Sequence, residues 1–210
     1  MLLQHVLSAD PPEANKPSTR QRLVVAAAIL FQRRGYYGVG TADILKLAEA
    51  PRGSLYHHFP GGKIDLACAS VEWVEKEAVA AVRYLRLAGY SPQKVLKLTS
   101  DGIAAWMKEA DYAEGSLLAA LASCLDSGTD DQLQVSVKAA YDAIAAEYEQ
   151  MLLVYGLKKR DAQSIANAFV ADLEGASILA RATRNTRPLK DAARRLNTMI
   201  SQHGDDDGAP

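Results

Sequence analysis

The chain has 210 residues, with 24 Lys and Arg against 25 Asp and Glu for a formal net charge of −1, and is 49% hydrophobic but only 7% aromatic. That length can bury one substantial core or split into a small N-terminal module and a larger helical body, and the composition is that of an alanine-rich helix former. The near-neutral total excludes a uniformly basic nucleic-acid protein, yet residues 1–63 hold 8 Lys or Arg and 4 Asp or Glu and the remainder 16 and 21, so positive charge collects in the first third.

Residues 1–17 are rich in proline and polar side chains and read as a flexible N-terminal arm. Ser18 or Thr19 then caps a first long helix in which Leu23, Ala27 and Leu30, beside Val24, Ala28 and Phe31, make two adjacent apolar rows. Arg33, Arg34 and Gly35 suit its C-terminal end. A second helix follows from Thr41, its expected cap, to Ala48, with Ile44, Leu47 and Ala48 as its apolar face. Glu49-Ala50-Pro51 interrupts it, and Pro51 is expected at the first position of a third helix, where its missing N–H is harmless. There Leu55 and Phe59 face inward and leave Arg52, Gly53, Tyr56 and His57 outside, while His58 points more toward the interior. Two short helices joined by a tight turn, the second with an outward polar row, outline a helix-turn-helix DNA reader.

Each residue of that row has a definite chemical use. Arg52, at the start of the reading helix, reaches a phosphate or a guanine edge. Gly53 lets the helix backbone approach a duplex closely. Thr41 stands at a helix N-terminus able to hold a phosphate, and Tyr56 and His57 carry a hydroxyl and an imidazole for phosphate anchoring. With Ser54 on the same segment and Lys63 opening the next helix after Gly61 and Gly62, the DNA-binding set is Thr41, Arg52, Gly53, Ser54, Tyr56, His57 and Lys63.

A fourth helix is read over 63–87, leaving the reader without a flexible linker, and a fifth over 93–108 carries Leu96, Thr99, Ile103 and Met107. A loop over 109–115, a short apolar helix over 117–125 and a loop over 126–131 come next. Val137, Tyr141, Ile144, Tyr148, Met151 and Tyr155 share one stripe of a long helix. The helix over 161–183 has Phe169, Leu173, Ala176 and Ala180 on one row and Ala168, Gly175 and Leu179 on another. That breadth fits either the centre of one large core or a helix buried on one side by a second subunit. A final helix over 188–201 precedes an acidic tail, expected to be disordered over 203–210. No strand pattern or internal repeat is present, so the fold class is all-α.

Other classes of function find little support. Gly61-Gly62-Lys63 has the ending of a phosphate loop, but the motif's first glycine falls at His57 and Ile64 replaces its Ser or Thr. There is no Gly-x-Ser-x-Gly elbow, and four scattered histidines give no metal spacing, so neither an enzyme nor a metal or cofactor is indicated. Cys68 and Cys124 form no CxxC pair and read as packed core thiols. The apolar run 23–31 is too short to span a bilayer, and an anchoring role for the Arg-flanked first helix leaves 41–63 unexplained. Residues 1–10 lack the basic start and apolar region of a signal peptide. A cytoplasmic protein with no membrane partner is expected.

The run Pro51-Arg52-Gly53-Ser54-Leu55-Tyr56-His57-His58-Phe59-Pro60-Gly61-Gly62-Lys63, with the helix before it, resembles the DNA-binding domain of the TetR/AcrR family of bacterial transcriptional regulators over roughly residues 18 to 66. Its wording is most similar to the subgroup that resembles lincomycin-resistance repressors. Two departures stand out. Family members usually place Gly where this chain has Glu49, in a turn that favours a left-handed residue, and many carry Ser where it has Pro51, which leaves Ala50 as a poor cap. The resemblance implies a helix-turn-helix domain over 18–64, and an effector-binding and dimerisation domain over 65–202. It further implies a homodimer on a palindromic double-stranded DNA operator, acting as a repressor released by a small hydrophobic effector. On that footing the candidate effector contacts are Trp73, Trp106, Met107, Tyr112, Leu118 and Leu121, each of which fits plain core packing equally well. The family's dimerisation through its last two long helices makes Tyr141, Tyr148, Ala168, Asp172, Gly175, Ala176 and Leu179 the candidate dimer interface.

Overall fold

The computed structural model describes residues 17–125 and 131–204, which form nine α-helices and no strand. The arm up to residue 16, the loop at 126–130 and the tail from 205 lie outside the described residues, while 203 and 204 belong to the last helix rather than to a tail. Helix α1 (Thr19–Arg34) opens on a capping box in which Ser18 Oγ accepts from the Gln21 N–H and Gln21 Oε1 from the Ser18 N–H. Gly35, at φ 70°, ends it. Helices α2 (Thr41–Leu47) and α3 (Arg52–His58) follow. Next come α4 (Lys63–Leu87), α5 (Pro92–Glu109) with Ser91 as N-cap and Pro92 in its first turn, and α6 (Leu117–Ala122), which stops three residues before its expected end. The long helices α7 (Asp131–Val154) and α8 (Lys159–Thr183) precede α9 (Arg187–Gly204).

These helices sort into two compact units, and the division falls inside both α4 and α7. One unit comprises residues 17–76, 114–125 and 131–140. In it α1 packs on α2, α3 and α6, and α2 on α3. Leu23, Ala27, Phe31, Ile44, Leu55, Phe59 and Leu66 are buried there, each large side chain contributing about 1.5–3 kcal/mol by leaving water. Ser70, fully buried, donates to the Leu66 and Val24 carbonyls. Arg33 donates twice to Oε1 of buried Glu114, fixing the end of α1 to the segment before α6.

The second unit comprises residues 77–113 and 141–204, with α9 packed on both α5 and α8. Val82, Leu85, Leu96, Met151, Leu152, Phe169 and Leu196 share one apolar cluster, and Trp106, Met107, Ala176, Ala180, Leu189 and Ala192 another. Glu147 is buried with both carboxylate oxygens in use, one taken by Arg83 and the other by Arg86. A buried charge is tolerable when paired and hydrogen-bonded in this way.

Candidate nucleic-acid interface

The turn between α2 and α3 sets the direction in which α3 leaves. Ala48 ends α2, and Glu49 adopts φ 50°, the left-handed region. The Ala50 N–H donates to the Leu45 carbonyl (3.0 Å) and the Glu49 N–H to the Lys46 carbonyl (3.3 Å). That pair of bonds is a Schellman motif, with glutamate where glycine is usual. Left-handed backbone costs an L residue roughly 1–2 kcal/mol, so the strain anticipated from the sequence is present. Arg22 meets this turn from α1, donating from Nε to the Ala48 carbonyl at 3.0 Å.

Three local expectations are corrected. Thr41 is the first residue of α2 rather than its cap; Gly40 is the N-cap and supplies no side-chain bond. Pro51 likewise stands just outside α3 as its N-cap, with ψ 148°, and its carbonyl accepts both the Ser54 N–H (3.0 Å) and the Ser54 hydroxyl (2.6 Å). Leu47 does not join the apolar face. It is 48% exposed, because the short helix buries only Ile44 fully and Ala48 behind it.

Along α3 the expected orientation holds. Leu55 and Phe59 are buried, and Arg52, Gly53, Tyr56 and His57 are exposed, Tyr56 at 63%. His58 is half-buried and sits edge-on to both His57 and Phe59. A Cβ added at Gly53 would meet nothing within 4 Å, so no packing inside the chain demands glycine there. Ser54 is half-buried with its hydroxyl committed to Pro51, on the flank of the exposed row.

The start of α4 is locked by its own residues. Asp65 Oδ2 accepts the Gly61 N–H at 2.7 Å, and a Cβ on Gly61 would collide with that carboxylate. Gly62 takes φ 72°, where a Cβ would lie 3.3 Å from the Tyr56 ring. Lys63 is half-buried with its ammonium 4.2 Å from the centre of the Tyr36 ring, and partial burial lowers its pKa. Sequence reasoning overlooked Arg22, Tyr36 and Asp65. Only Asp65 left a local signal, an acid in the first turn of a helix.

The remaining candidates lie in both units. Among the effector candidates, Trp106, Met107 and Tyr112 share a cluster in the second unit, whereas Trp73, Leu118 and Leu121 belong to the first. Met107, Leu118 and Leu121 are fully buried core residues, while Trp73 and Tyr112 are half-buried. A cleft of about 400 Å³ in the first unit, lined by residues that include Arg20, His58, Phe59 and Glu75, contains none of the six.

The dimer candidates divide by burial. Tyr148 and Ala176 are 3% and 4% exposed within the single chain. Tyr148 packs edge-on against Phe169, and Ala176 belongs to the Trp106 cluster, so both are core of their own unit rather than surface for a second subunit. Asp172 is paired with Arg195 at 3.1 Å, and half-buried Tyr141 has its pKa raised by burial and then by the charge of Glu174 and a hydrogen bond to it. Ala168 is half-buried against the large cluster. Gly175 and Leu179 are exposed, Leu179 at 56%.

Cys68 and Cys124 form no disulfide and are half-buried rather than sealed in a core. Among the described residues no group of three or more His, Cys, Asp or Glu could hold a metal ion, and no helix is long and apolar enough to cross a membrane.

An all-helical chain whose short third helix presents an exposed polar row beside a fixed turn defines a helix-turn-helix DNA-binding regulator. Residues 23–68 match the family described as bacterial regulatory proteins of the tetR family, and residues 92–195 match the C-terminal domain of LmrA/YxaF-like transcriptional regulators. The chain is 32% identical over 178 residues to the HTH-type transcriptional regulator LmrA of Bacillus subtilis (strain 168), covering 81% of this chain and 90% of that one. It is also 44% identical over 41 residues, 20% of this chain and 21% of the other, to the HTH-type transcriptional repressor NemR of Escherichia coli (strain K12). The crystal structure of a TetR transcriptional regulator from Legionella pneumophila superposes with a TM-score of 0.80 at 21% identity, over 89% of this chain and all of that one. The chain belongs to the TetR family of transcriptional regulators. It is accordingly a DNA-binding protein of transcription regulation and not an enzyme.

Proposed function

We propose that the chain is a ligand-responsive repressor that acts in the cytoplasm, binding a palindromic operator as a homodimer and leaving it when a small hydrophobic effector binds. The observation that carries the DNA half is the outward row of α3, where Arg52, Gly53, Tyr56 and His57 are exposed and Gly53 has open space at its missing side chain. Such a row suits the major groove, with Arg52 at the leading end. The similarity to NemR, a transcriptional repressor, supports repression. An exposed stripe of small and apolar residues along α8, with Ala171, Gly175, Ile178, Leu179 and Ala182, supports the dimer. Two half-sites gripped by a two-fold dimer give a small reader its specificity.

The test is binding to a duplex that the purified protein selects from a random pool. Affinity should fall steeply with salt, and Arg52→Ala should lower the slope of log affinity against log salt by about 1.8, about 0.9 for the phosphate released by each of the two subunits. No preference for any duplex would sink the reading. For the effector half, Tyr112 is the proposed contact, because it is half-buried beside the Trp106 cluster of its own unit. A panel of moderately hydrophobic ring compounds should contain one that shifts tryptophan emission and releases the duplex, with reciprocal weakening of that compound by DNA.

A further inference from the structure

The strained turn at Glu49 is held from outside its own helix. A non-glycine residue keeps a left-handed backbone only where the surroundings over-determine it, and here they centre on one side chain. Arg22, half-buried in the first turn of α1, donates from Nε to the Ala48 carbonyl at 3.0 Å, from Nη2 toward the Glu49 carbonyl at 3.5 Å and from Nη1 to the Pro17 carbonyl at 3.2 Å. The carbonyls of Ala48 and Glu49 flank the φ 50° residue. A planar guanidinium presents its donors in a fixed fork that can hold several carbonyls at once, which the point charge of a lysine does not match. With three of its donors turned to backbone carbonyls, Arg22 differs from exposed Arg52.

We propose that Arg22 is a positioning residue for DNA binding: it locks the Glu49 turn and thereby fixes the angle at which α3 leaves α2, so that Arg22 and Glu49 form a compensating pair. The inference rests on the DNA-binding reading of α3. It requires that Arg22 matter most while position 49 is strained, and little once glycine removes the strain.

The experiment measures affinity for the selected duplex and for an unrelated one, across a salt series, in the wild type, Arg22→Gln, Arg22→Lys, Glu49→Gly and the Arg22→Gln/Glu49→Gly pair, each checked for folding by circular dichroism. Arg22→Gln should weaken the selected duplex about tenfold while leaving the unrelated duplex and the salt slope unchanged, and in the Glu49→Gly background the loss should shrink below about threefold. Arg22→Lys should behave like Arg22→Gln, and it serves as the folded variant if the glutamine form does not fold. Equal losses in both backgrounds would overturn the pairing. A salt slope lowered by about 1.8, one phosphate for each subunit, would instead make Arg22 a direct phosphate contact and overturn the positioning role. If the wild type itself prefers no duplex, the underlying DNA reading fails, an outcome distinct from either of these.

Discussion

Glu49 shows how a single backbone angle enters the stability of the reader. Its φ of 50° costs about 1–2 kcal/mol relative to a residue free to adopt it, while glycine there would return part of the gain through a looser unfolded chain. Glu49→Gly should therefore raise unfolding free energy by roughly 0.5–1 kcal/mol, seen as a higher urea midpoint at unchanged m-value; a lower midpoint would mean that the glutamate side chain contributes more than its backbone costs. Tyr148 gives a second test at this scale. Burial holds its phenol well above the ordinary tyrosine value, partly offset by its hydrogen bond with Thr99. A group whose folded pKa exceeds its unfolded value of about 10 keeps its contribution below that pH and loses it as pH rises further, because unfolding then releases the proton. Alkaline unfolding should steepen above about pH 10, and Tyr148→Phe should flatten it. An unchanged profile would show that other tyrosines set the alkaline limit.

Among the elements, α8 has two faces with opposite fates. Phe169, Ala176 and Ala180 point into their own unit, and Gly175, Ile178 and Leu179 point to solvent. Ala176→Arg should consequently unfold the chain, since it forces an unpaired charge among Trp106, Met107 and Leu189. Leu179→Arg should leave helicity intact and convert dimer to monomer in sedimentation. A dimer that survives Leu179→Arg would place the interface on another surface. The short helix α3 is built on the same division, with Leu55 and Phe59 buried and Arg52, Gly53, Tyr56 and His57 exposed. Seven residues cannot form a stable helix alone, so its orientation depends on what α1 and α2 supply.

For the whole molecule, the proposed dimer carries its own thermodynamic signature. If folding and association are linked, the melting temperature should rise with protein concentration, and Leu179→Arg should abolish that dependence. Calorimetry over a wide concentration range checks it, and a concentration-independent transition in the wild type would argue for a monomer. The two compact units each own an apolar core. Core substitutions in either should therefore act mainly on the stability of that unit.

The helices and the reading face were legible in the sequence because local chemistry determines them. Ser18, Gly35 and the four-residue spacing of Leu55 and Phe59 each specify a cap, a stop or a buried side without reference to distant residues. The left-handed turn at Glu49 was foreseeable only through the resemblance, which places glycine there. The sequence did not reveal that Arg22 reaches carbonyls 26 and 27 residues away, that Lys63 stacks on Tyr36, or which row of α8 turns inward. Ala176 and Gly175 are adjacent small residues on a helix apolar around much of its circumference, and periodicity alone could not rank them. Only the packing of α5 and α9 against α8 decided that Ala176 is core and left Gly175 and Leu179 exposed, because burial is a property of what lies opposite a side chain rather than of the chain that carries it.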